Sequence, residues 1–218
     1  EILRKHLGVK SIHTVIGSSI GGFQALEYSV MSPELIRHLV FIASSVRQTP
    51  WAIAFNESQR LAIEADPSFR AEDPDGGRMG LKAARAIALL SYRSSHAYNL
   101  TQKEEDDRTD HFRASSYLSY QGDKLVSRFN PYSYYCLTKL SDTHNAGRGR
   151  GCIHEALKTI KAQVLSVGIS SDFLFPVHDQ KFLADNVEGA YYKEIDSLYG
   201  HDGFLIEREL LTGIIREF

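Results

Sequence analysis

Short apolar runs recur along the chain with the length and composition of buried β-strands. The run at residues 38–45 (HLVFIASS) is almost continuously apolar, which is typical of a parallel strand covered on both faces. Shorter runs of strand length lie at residues 12–16, 163–169 and 191–195. The pattern therefore predicts an α/β protein with a mostly parallel sheet whose strands come from both ends of the chain.

Helical spacing dominates the rest of the chain. Segments with apolar residues at intervals of three or four are predicted as helices at 50–65, 81–94, 117–129, 131–140, 177–186 and 204–218. Residues 1–7 read as the end of another helix, capped at Gly8. We therefore divide the chain into a core, residues 1–47 and 161–218, and a helical lid insertion, residues 48–160.

The turn after the first predicted strand carries the sequence GSSIG at residues 17–21. It fits G-x-S-x-G, in which a nucleophilic serine sits on a strained turn between a strand and a helix of an α/β-hydrolase. Ser19 is then the nucleophile, and the amide of Ile20, at the positive end of the helix, is an oxyanion-hole donor. A glycine-rich turn with an incidental serine is the alternative, and these five residues alone do not decide between the two.

Two further residues stand where an α/β-hydrolase has its acid and its base. Asp172 follows the run at 163–169 and precedes an aromatic turn. His201 lies in a glycine-flanked loop just before the last predicted helix. The chain order Ser19, Asp172, His201 is that of α/β-hydrolase triads, so the three placements support one another. His201 would take the proton of Ser19, and Asp172 would fix the imidazole tautomer.

Several arginines invite a functional interpretation. Arg85 interrupts the apolar face of the helix predicted at 81–94, and a buried guanidinium costs free energy unless an anion meets it. A substrate carboxylate would meet it; a surface arginine in a salt bridge is the other interpretation. Arg148 and Arg150 lie in a glycine-rich loop that either contacts phosphates or simply returns the insertion to the core.

Composition excludes several classes of function. The chain has 218 residues, 43% apolar and 24% charged, with a net charge of −2, so neither nucleic acid nor an anionic membrane is a predicted partner. No apolar run is long enough to cross a bilayer. The charged run at 101–111 lacks regular ligand spacing, so no metal site is predicted. Two cysteines, Cys136 and Cys152, provide no disulfide framework and suit the cytoplasm.

The start of the chain indicates a fragment. An α/β-hydrolase normally has several strands and a helix ahead of its nucleophile strand, and one of their loops gives the second oxyanion donor. Here only a few residues precede that strand. We therefore expect the first third of such a protein, with its strands, to lie outside this chain.

Longer sequence segments, spread over essentially the whole chain, show a closer resemblance to a known family. GSSIGGFQALEY, GLKAARAIALLSYRS, SDFLFP and YGHDGFL resemble the homoserine O-acetyltransferase family. The resemblance implies an α/β-hydrolase fold with a helical lid, and transfer of an acetyl group from acetyl-CoA to the hydroxyl of L-homoserine in methionine biosynthesis, through an acetyl-serine intermediate. The positions that match the family's functional residues are Ser19, Asp172 and His201 for the triad, and Arg85 and Asp202 for substrate binding.

The charges of the substrate agree with these positions. Homoserine is a zwitterion, so Arg85 would bind its carboxylate and Asp202 its ammonium group. Tyr92, two turns along the same helix face as Arg85, would help to position it. The resemblance also implies a homodimer and no bound cofactor, since acetyl-CoA is a co-substrate.

One departure from the family and several alternatives remain. The family commonly reads GGSMGG near the nucleophile, whereas Ser18 and Ile20 stand here in place of a glycine and the methionine. The sequence leaves open a serine O-acyltransferase, a homoserine O-succinyltransferase, a serine esterase, and an inactive fragment that self-associates.

Overall fold

The computed structural model describes residues 2–70 and 73–218. Glu1, which the sequence places in the first helix, and residues 71–72 of the loop before the second lid helix lie outside the described residues. Within these ranges four parallel strands form one sheet in chain order: β1 (Ile12–Ser18), β2 (Ile36–Ile42), β3 (Gln163–Ile169) and β4 (Tyr191–Ile195). The predicted parallel sheet is confirmed.

The described residues also form eleven α-helices, most of them between β2 and β3. In chain order they are α1 (Ile2–His6), α2 (Ile20–Met31), α3 (Pro50–Glu64), α4 (Arg78–Tyr92), α5 (Ser95–Thr101), α6 (Arg113–Val126), α7 (Pro131–Asp142), α8 (Ile153–Lys158), α9 (Val177–Asp185), α10 (Gly203–Ile206) and α11 (Arg208–Glu217). Short 3₁₀ turns cover Pro67–Arg70 and Gly200–Asp202.

Helices cover both faces of the sheet, which explains the continuous apolar runs of its central strands. On one face Leu39 and Phe41 of β2 belong to a cluster with apolar residues of α2 and α9. On the other face Val40 of β2 and Val167 of β3 pack against α11. All four side chains are fully buried. Because successive side chains of a strand point to opposite faces, a strand between two helical layers needs an apolar residue at nearly every position.

The helices between β2 and β3 bury a separate apolar cluster. Ile63 of α3, Leu81 of α4 and Leu125 of α6 form its centre, and Tyr134 and Tyr135 of α7 pack against it. The aromatic residues of α7 therefore serve in part as core. Packing of α3, α4, α6 and α7 on one another fixes the helices that face the nucleophile.

Some element boundaries differ from the predicted ones. β2 ends at Ile42 and not at residue 45, because Ala43 leaves the extended conformation with a φ of 44°. The last predicted helix is divided into α10 and α11 at Glu207, whose carboxylate accepts a hydrogen bond of 2.9 Å from the hydroxyl of Ser197. The sequence does not predict α5 or α8, because helices of seven and six residues are too short to display an apolar period.

Candidate active site

Ser19 occupies a strained turn between β1 and α2. Its φ of 53° and ψ of −126° lie outside the regions that residues with a Cβ normally adopt. Two hydrogen bonds hold this conformation: the Ser19 amide donates to the carbonyl of Ile42 (3.0 Å), and the hydroxyl of Ser44 donates to the carbonyl of Ser19 (2.7 Å). Backbone strain that the surroundings hold in place is typical of a functional position.

Gly17 explains why the turn can be so tight. A Cβ at this position would lie 2.1 Å from the carbonyl oxygen of Gly21, in the first turn of α2. A Cβ at Gly21 itself would meet nothing within 4 Å. The first glycine of the motif is therefore required for the approach of the helix to the strand, and the last one is not required on steric grounds.

The structure brings the three residues predicted as a triad into one hydrogen-bonded chain. The Nε2 atom of His201 lies 2.9 Å from the Oγ atom of Ser19, and its Nδ1 atom lies 2.7 Å from Oδ2 of Asp172. His201 and Asp172 are each only 4% exposed. In this geometry the imidazole can accept the hydroxyl proton through Nε2 while Nδ1 keeps its own.

Backbone amides hold the carboxylate of Asp172 in place. Its second oxygen, Oδ1, accepts hydrogen bonds from the amides of Leu174 and Phe175, each at 2.9 Å. Both oxygens are therefore engaged, one by the turn after β3 and one by His201. This arrangement fixes the orientation of the carboxylate, and with it the orientation of the imidazole ring.

Ile20 is the first residue of α2, so its amide has no acceptor within the helix. The amide lies directly after Ser19, at the end of a twelve-residue helix where the dipole is positive. That is the position of an oxyanion-hole donor. The assignment stays a prediction.

A cavity of about 300 Å³ opens beside Ser19, and residues of the lid helices α3, α4, α6 and α7 form much of its wall. Most of its walls are apolar or aromatic, and they include Phe55, Tyr92, Leu125, Phe129, Tyr134 and Phe175. Such a wall keeps a reacting ester away from bulk water. A cavity of this volume can hold a small acyl group and a small acceptor.

The predicted substrate-binding residues gather around Tyr92. The Tyr92 ring lines the cavity and lies 5.8 Å from the His201 ring. The guanidinium of Arg85 lies 5.7 Å from the centre of the Tyr92 ring. Burial raises the pKa of the Tyr92 hydroxyl; the charge of Arg85 lowers it and that of Asp202 raises it further. Both charges therefore lie near the Tyr92 hydroxyl, although neither Arg85 nor Asp202 is among the cavity-lining residues.

Sequence reasoning missed three residues at the site. Arg93, at the end of α4, forms an ion pair with Asp202. Ser44 bonds the backbone of Ser19, and its place at the carboxyl end of β2 was a usable signal, because the carboxyl ends of parallel strands meet at one edge. Arg128, just after α6, lines the cavity. Nothing in its sequence context distinguishes it from a surface arginine.

Acidic residues of the charged run at 101–111, for which no metal site is predicted, form ion pairs with arginines. Asp106 lies 2.6 Å from Arg108, and this hydrogen bond lowers the pKa of the carboxyl to about 2. Glu105 lies 3.0 Å from Arg113. In residues 2–70 and 73–218 no group of three or more His, Cys, Asp or Glu side chains could hold a metal ion.

Across the same ranges, no helix has the length and apolar character that a membrane crossing requires.

The loop that contains Arg148 and Arg150 is held in place by hydrogen bonds and an ion pair. Arg150 lies 2.8 Å from Glu27 of α2 and donates to the carbonyl of Ala146 at 2.7 Å. Arg148 donates to the carbonyl of Thr143. These contacts match the interpretation in which the loop returns the insertion to the core. The guanidinium of Arg148 also lines a neighbouring cleft.

Fold and site together define the class of protein. Residues 1–207 match the alpha/beta hydrolase fold family, and the chain belongs to that family. Within it, the chain is similar to homoserine O-acetyltransferases: the protein of that name from Cyclobacterium marinum is 45% identical over 216 residues, which are 99% of this chain and 62% of the relative.

Solved structures agree with the fold. Homoserine O-acetyltransferase from Bacillus anthracis superposes with a TM-score of 0.91 at 21% identity, over 100% of this chain and 62% of that one. Homoserine O-acetyltransferase from Staphylococcus aureus superposes with a TM-score of 0.77 at 29% identity, over 94% and 57%. The chain thus spans about three fifths of the length of the proteins it matches.

Proposed function

We propose that the chain carries the acyl-transfer site of a homoserine O-acetyltransferase. The observation that carries the proposal is the hydrogen-bonded chain from Ser19 through His201 to Asp172, in a sequence 45% identical to a protein of that name. The reaction moves an acetyl group from acetyl-CoA to the hydroxyl of L-homoserine, an early step of methionine biosynthesis.

The first half-reaction forms an acetyl-serine. His201 Nε2 takes the proton of the Ser19 hydroxyl as the oxygen attacks the thioester carbonyl. The carbonyl oxygen becomes an oxyanion, which the Ile20 amide stabilises. The carbon–sulfur bond then breaks, and the departing thiolate of CoA takes the proton from His201. Asp172 stabilises the imidazolium while it exists.

The second half-reaction repeats these steps with a different acceptor. The hydroxyl of homoserine gives its proton to His201 Nε2 and attacks the acetyl carbonyl. The bond to Ser19 Oγ breaks, the serine regains the proton from His201, and O-acetylhomoserine leaves. The apolar and aromatic part of the cavity wall would favour the alcohol over water.

Recognition of the acceptor rests on complementary charges. Arg85 would bind the carboxylate and Asp202 the ammonium group, with the hydroxyl of Tyr92 between them. The support for this arrangement is that both charges act on the Tyr92 hydroxyl, whose ring lies beside His201. The donor site is a co-substrate site for acetyl-CoA, and the proposal includes no bound cofactor.

A homodimer in the cytoplasm completes the proposal. Support for a dimer comes from large apolar side chains exposed in the lid insertion, which include Phe112, Tyr120 and Leu140. Support for the cytoplasm comes from Cys136 and Cys152, which are both free and exposed. Light scattering of the purified protein would test the first, and localisation of a tagged copy the second.

The decisive experiment follows the acetyl group. The protein, at the length that its gene encodes, is mixed with acetyl-CoA, and the Ser19 peptide is examined by mass spectrometry before and after addition of L-homoserine. We expect an acetyl adduct that homoserine removes with formation of O-acetylhomoserine. Parallel reactions with succinyl-CoA as donor and L-serine as acceptor distinguish the related transferases.

Two results would contradict the proposal. An adduct discharged by water as fast as by homoserine would identify a serine esterase. Absence of an adduct with every donor, in a protein that is folded by circular dichroism, would leave a non-catalytic member that self-associates. Repeating the reaction on residues 1–218 alone tells whether this part of the protein suffices.

A further inference from the structure

Asp202, the residue after the histidine of the site, has an arginine partner in the lid. Its Oδ2 atom lies 2.7 Å from Nε of Arg93, the residue that directly follows α4. The side chains are only 19% and 27% exposed. The Nε atom is buried and its N–H bond is not directed at the oxygen, so the contact is an ion pair and not an aligned hydrogen bond. A partly buried pair of this kind is screened by solvent less than a surface pair.

The end of α4 and the histidine loop are packed closely enough for this ion pair to fix their relative position. The hydroxyl of Ser94 donates to the carbonyl of Leu198. Gly200 has a φ of 66°, and a Cβ there would lie 2.6 Å from the amide nitrogen of Ser94. Two backbone segments therefore meet directly, with Arg93 and Asp202 at the edge of the contact.

The second oxygen of Asp202, Oδ1, has no hydrogen-bond donor among the described residues, whereas Oδ2 faces Arg93. Arg93 also has a second contact, since its Nη2 atom donates to the hydroxyl of Tyr117 at 3.3 Å. The guanidinium is thereby held from α6 as well, which limits how far it can follow the carboxylate.

We propose that Arg93 is a positioning residue: by holding Oδ2 of Asp202 it presents Oδ1 to the ammonium group of an amino-acid acceptor. The inference rests on the proposed function, because it needs an acceptor that carries an ammonium group. Arg93 does not touch the acceptor. It sets the direction of the carboxylate, and it thereby contributes to the choice of an amino acid over an uncharged alcohol.

The test compares two acceptors that differ only in the ammonium group. L-Homoserine and 4-hydroxybutyrate share the hydroxyl and the carboxylate, and only the first has the cation that Asp202 would bind. Arg93→Met removes the guanidinium, and Arg93→Lys keeps a charge without the planar fork. We expect Arg93→Met to raise KM for homoserine about tenfold or more, the loss of one well-oriented charged contact. Arg93→Lys should raise the KM for homoserine less than Arg93→Met does.

Four control measurements make the result specific. The rate of acetyl-enzyme formation and the kinetics with 4-hydroxybutyrate should stay within about twofold of the wild type, since neither depends on Asp202. Arg78→Met, at the exposed start of α4, should change nothing. In an Asp202→Asn background, Arg93→Met should have little further effect on homoserine, because the two residues act through one contact.

Several outcomes would overturn the inference. Equal losses with both acceptors and in acetyl-enzyme formation would mean that Arg93 only stabilises the fold. A lower KM for homoserine would mean that Arg93 competes for Asp202 and does not orient it. Additive effects of Arg93→Met and Asp202→Asn would also overturn it. If Arg93→Met fails to fold, unchanged acceptor selectivity in the Arg93→Lys variant would overturn it. A wild-type protein that forms acetyl-enzyme but never acetylates homoserine would remove the proposed function itself, a failure visible before any variant is made.

Discussion

His201 Nε2 lies 2.9 Å from Ser19 Oγ, although 182 positions separate the two residues in the chain. The contact depends on the parallel sheet, because Ser19 follows β1, Asp172 follows β3 and His201 follows β4, and the carboxyl ends of these strands lie at the same end of the sheet. The oxygen that would attack and the nitrogen that would take its proton are thus already within hydrogen-bond distance.

The first prediction concerns the serine itself. Replacing Ser19 with Ala removes the attacking oxygen, so we expect turnover to fall by about 10⁴-fold or more and the acetyl adduct to disappear. Ser18→Ala is the matched control, one residue away and outside the hydrogen-bonded chain, and it should retain near-normal turnover. Steady-state assays with acetyl-CoA and homoserine measure both. Comparable losses in the two variants would mean that the turn, and not the hydroxyl of Ser19, is what matters.

A second prediction tests whether Asp172 acts by fixing the tautomer of His201 or by supporting the fold. Asp172→Asn keeps an oxygen for the amides of Leu174 and Phe175 but presents an NH₂ group to Nδ1 of His201. Nδ1 must then be unprotonated, which leaves the proton on Nε2 and prevents acceptance of the Ser19 proton. We expect acetyl-enzyme formation to slow by roughly 10⁴-fold with the structure intact.

The comparison for Asp172→Asn is Asp196→Asn, at an exposed carboxylate that accepts a hydrogen bond from Ser170. Its acetylation rate should match the wild type. Urea unfolding of both variants checks that the fold is unchanged. A slowed Asp196→Asn variant, or an Asp172→Asn variant that keeps a tenth of the wild-type rate, would argue against the tautomer explanation.

The residues of the triad could be found from sequence because each lies next to a local signal. Ser19 stands in a five-residue motif, and Asp172 and His201 each follow a strand-length apolar run. Local patterns sufficed because the fold places the ends of its parallel strands together. The strands β3 and β4 also have the predicted bounds, because turn residues enclose their apolar runs.

Contacts between distant elements could not be found this way. Arg93 and Asp202 are paired only because the end of α4 meets the histidine loop, and no periodicity or motif encodes that meeting. Ala43, which ends β2 with a positive φ, is equally hidden, because alanine has no preference for that conformation. The sequence predicts elements and motifs well, and it does not predict which lid side chain reaches which loop.

His144 provides a prediction about stability at acid pH. Its ring stacks on Phe23 at 4.0 Å, and its Nε2 atom lies 3.2 Å from the carbonyl of Ser45. Burial lowers the pKa of His144 to about 4; Glu27 and the hydrogen bond to Ser45 oppose this shift, and Arg148 and Arg150 add to it. Between about pH 4 and pH 6.5 the unfolded state therefore binds a proton at His144 that the folded state does not bind.

The stability linked to His144 is therefore complete above pH 6.5 or so and is lost as the pH falls towards 4. The loss amounts to at most about 3 kcal/mol. We expect a His144→Gln variant to show a flatter fall in the free energy of unfolding over this range, measured by urea titration at several pH values. His96→Gln, at an exposed histidine, should keep the wild-type slope. Parallel slopes for wild type and His144→Gln would contradict the assignment.

Asp179 provides the opposite case. The residue lies in the first turn of α9, its side chain is 12% exposed, and its Oδ2 atom has no hydrogen-bond partner among the described residues. Burial raises its pKa to about 6, opposed by His178 and assisted by the charge of Asp172. Below pH 4 or so both states carry the proton and no cost arises; as the pH rises towards 6 the unfolded state ionises first, and stability is lost.

Asp179→Asn removes this ionisation, so it should stabilise the protein at neutral pH and not at acid pH. We expect its free energy of unfolding to exceed that of the wild type by about 1–2 kcal/mol at pH 8, part of the gain being offset by the lost attraction of a carboxylate to the helix N-terminus. The difference should vanish near pH 4, where the wild-type carboxyl is already neutral. Asp75→Asn, at an exposed carboxylate paired with Arg78, should show no such pH-dependent gain. A destabilised Asp179→Asn variant at pH 8 would mean that the buried charge is favourable, which would require a cationic partner for the free Oδ2 atom.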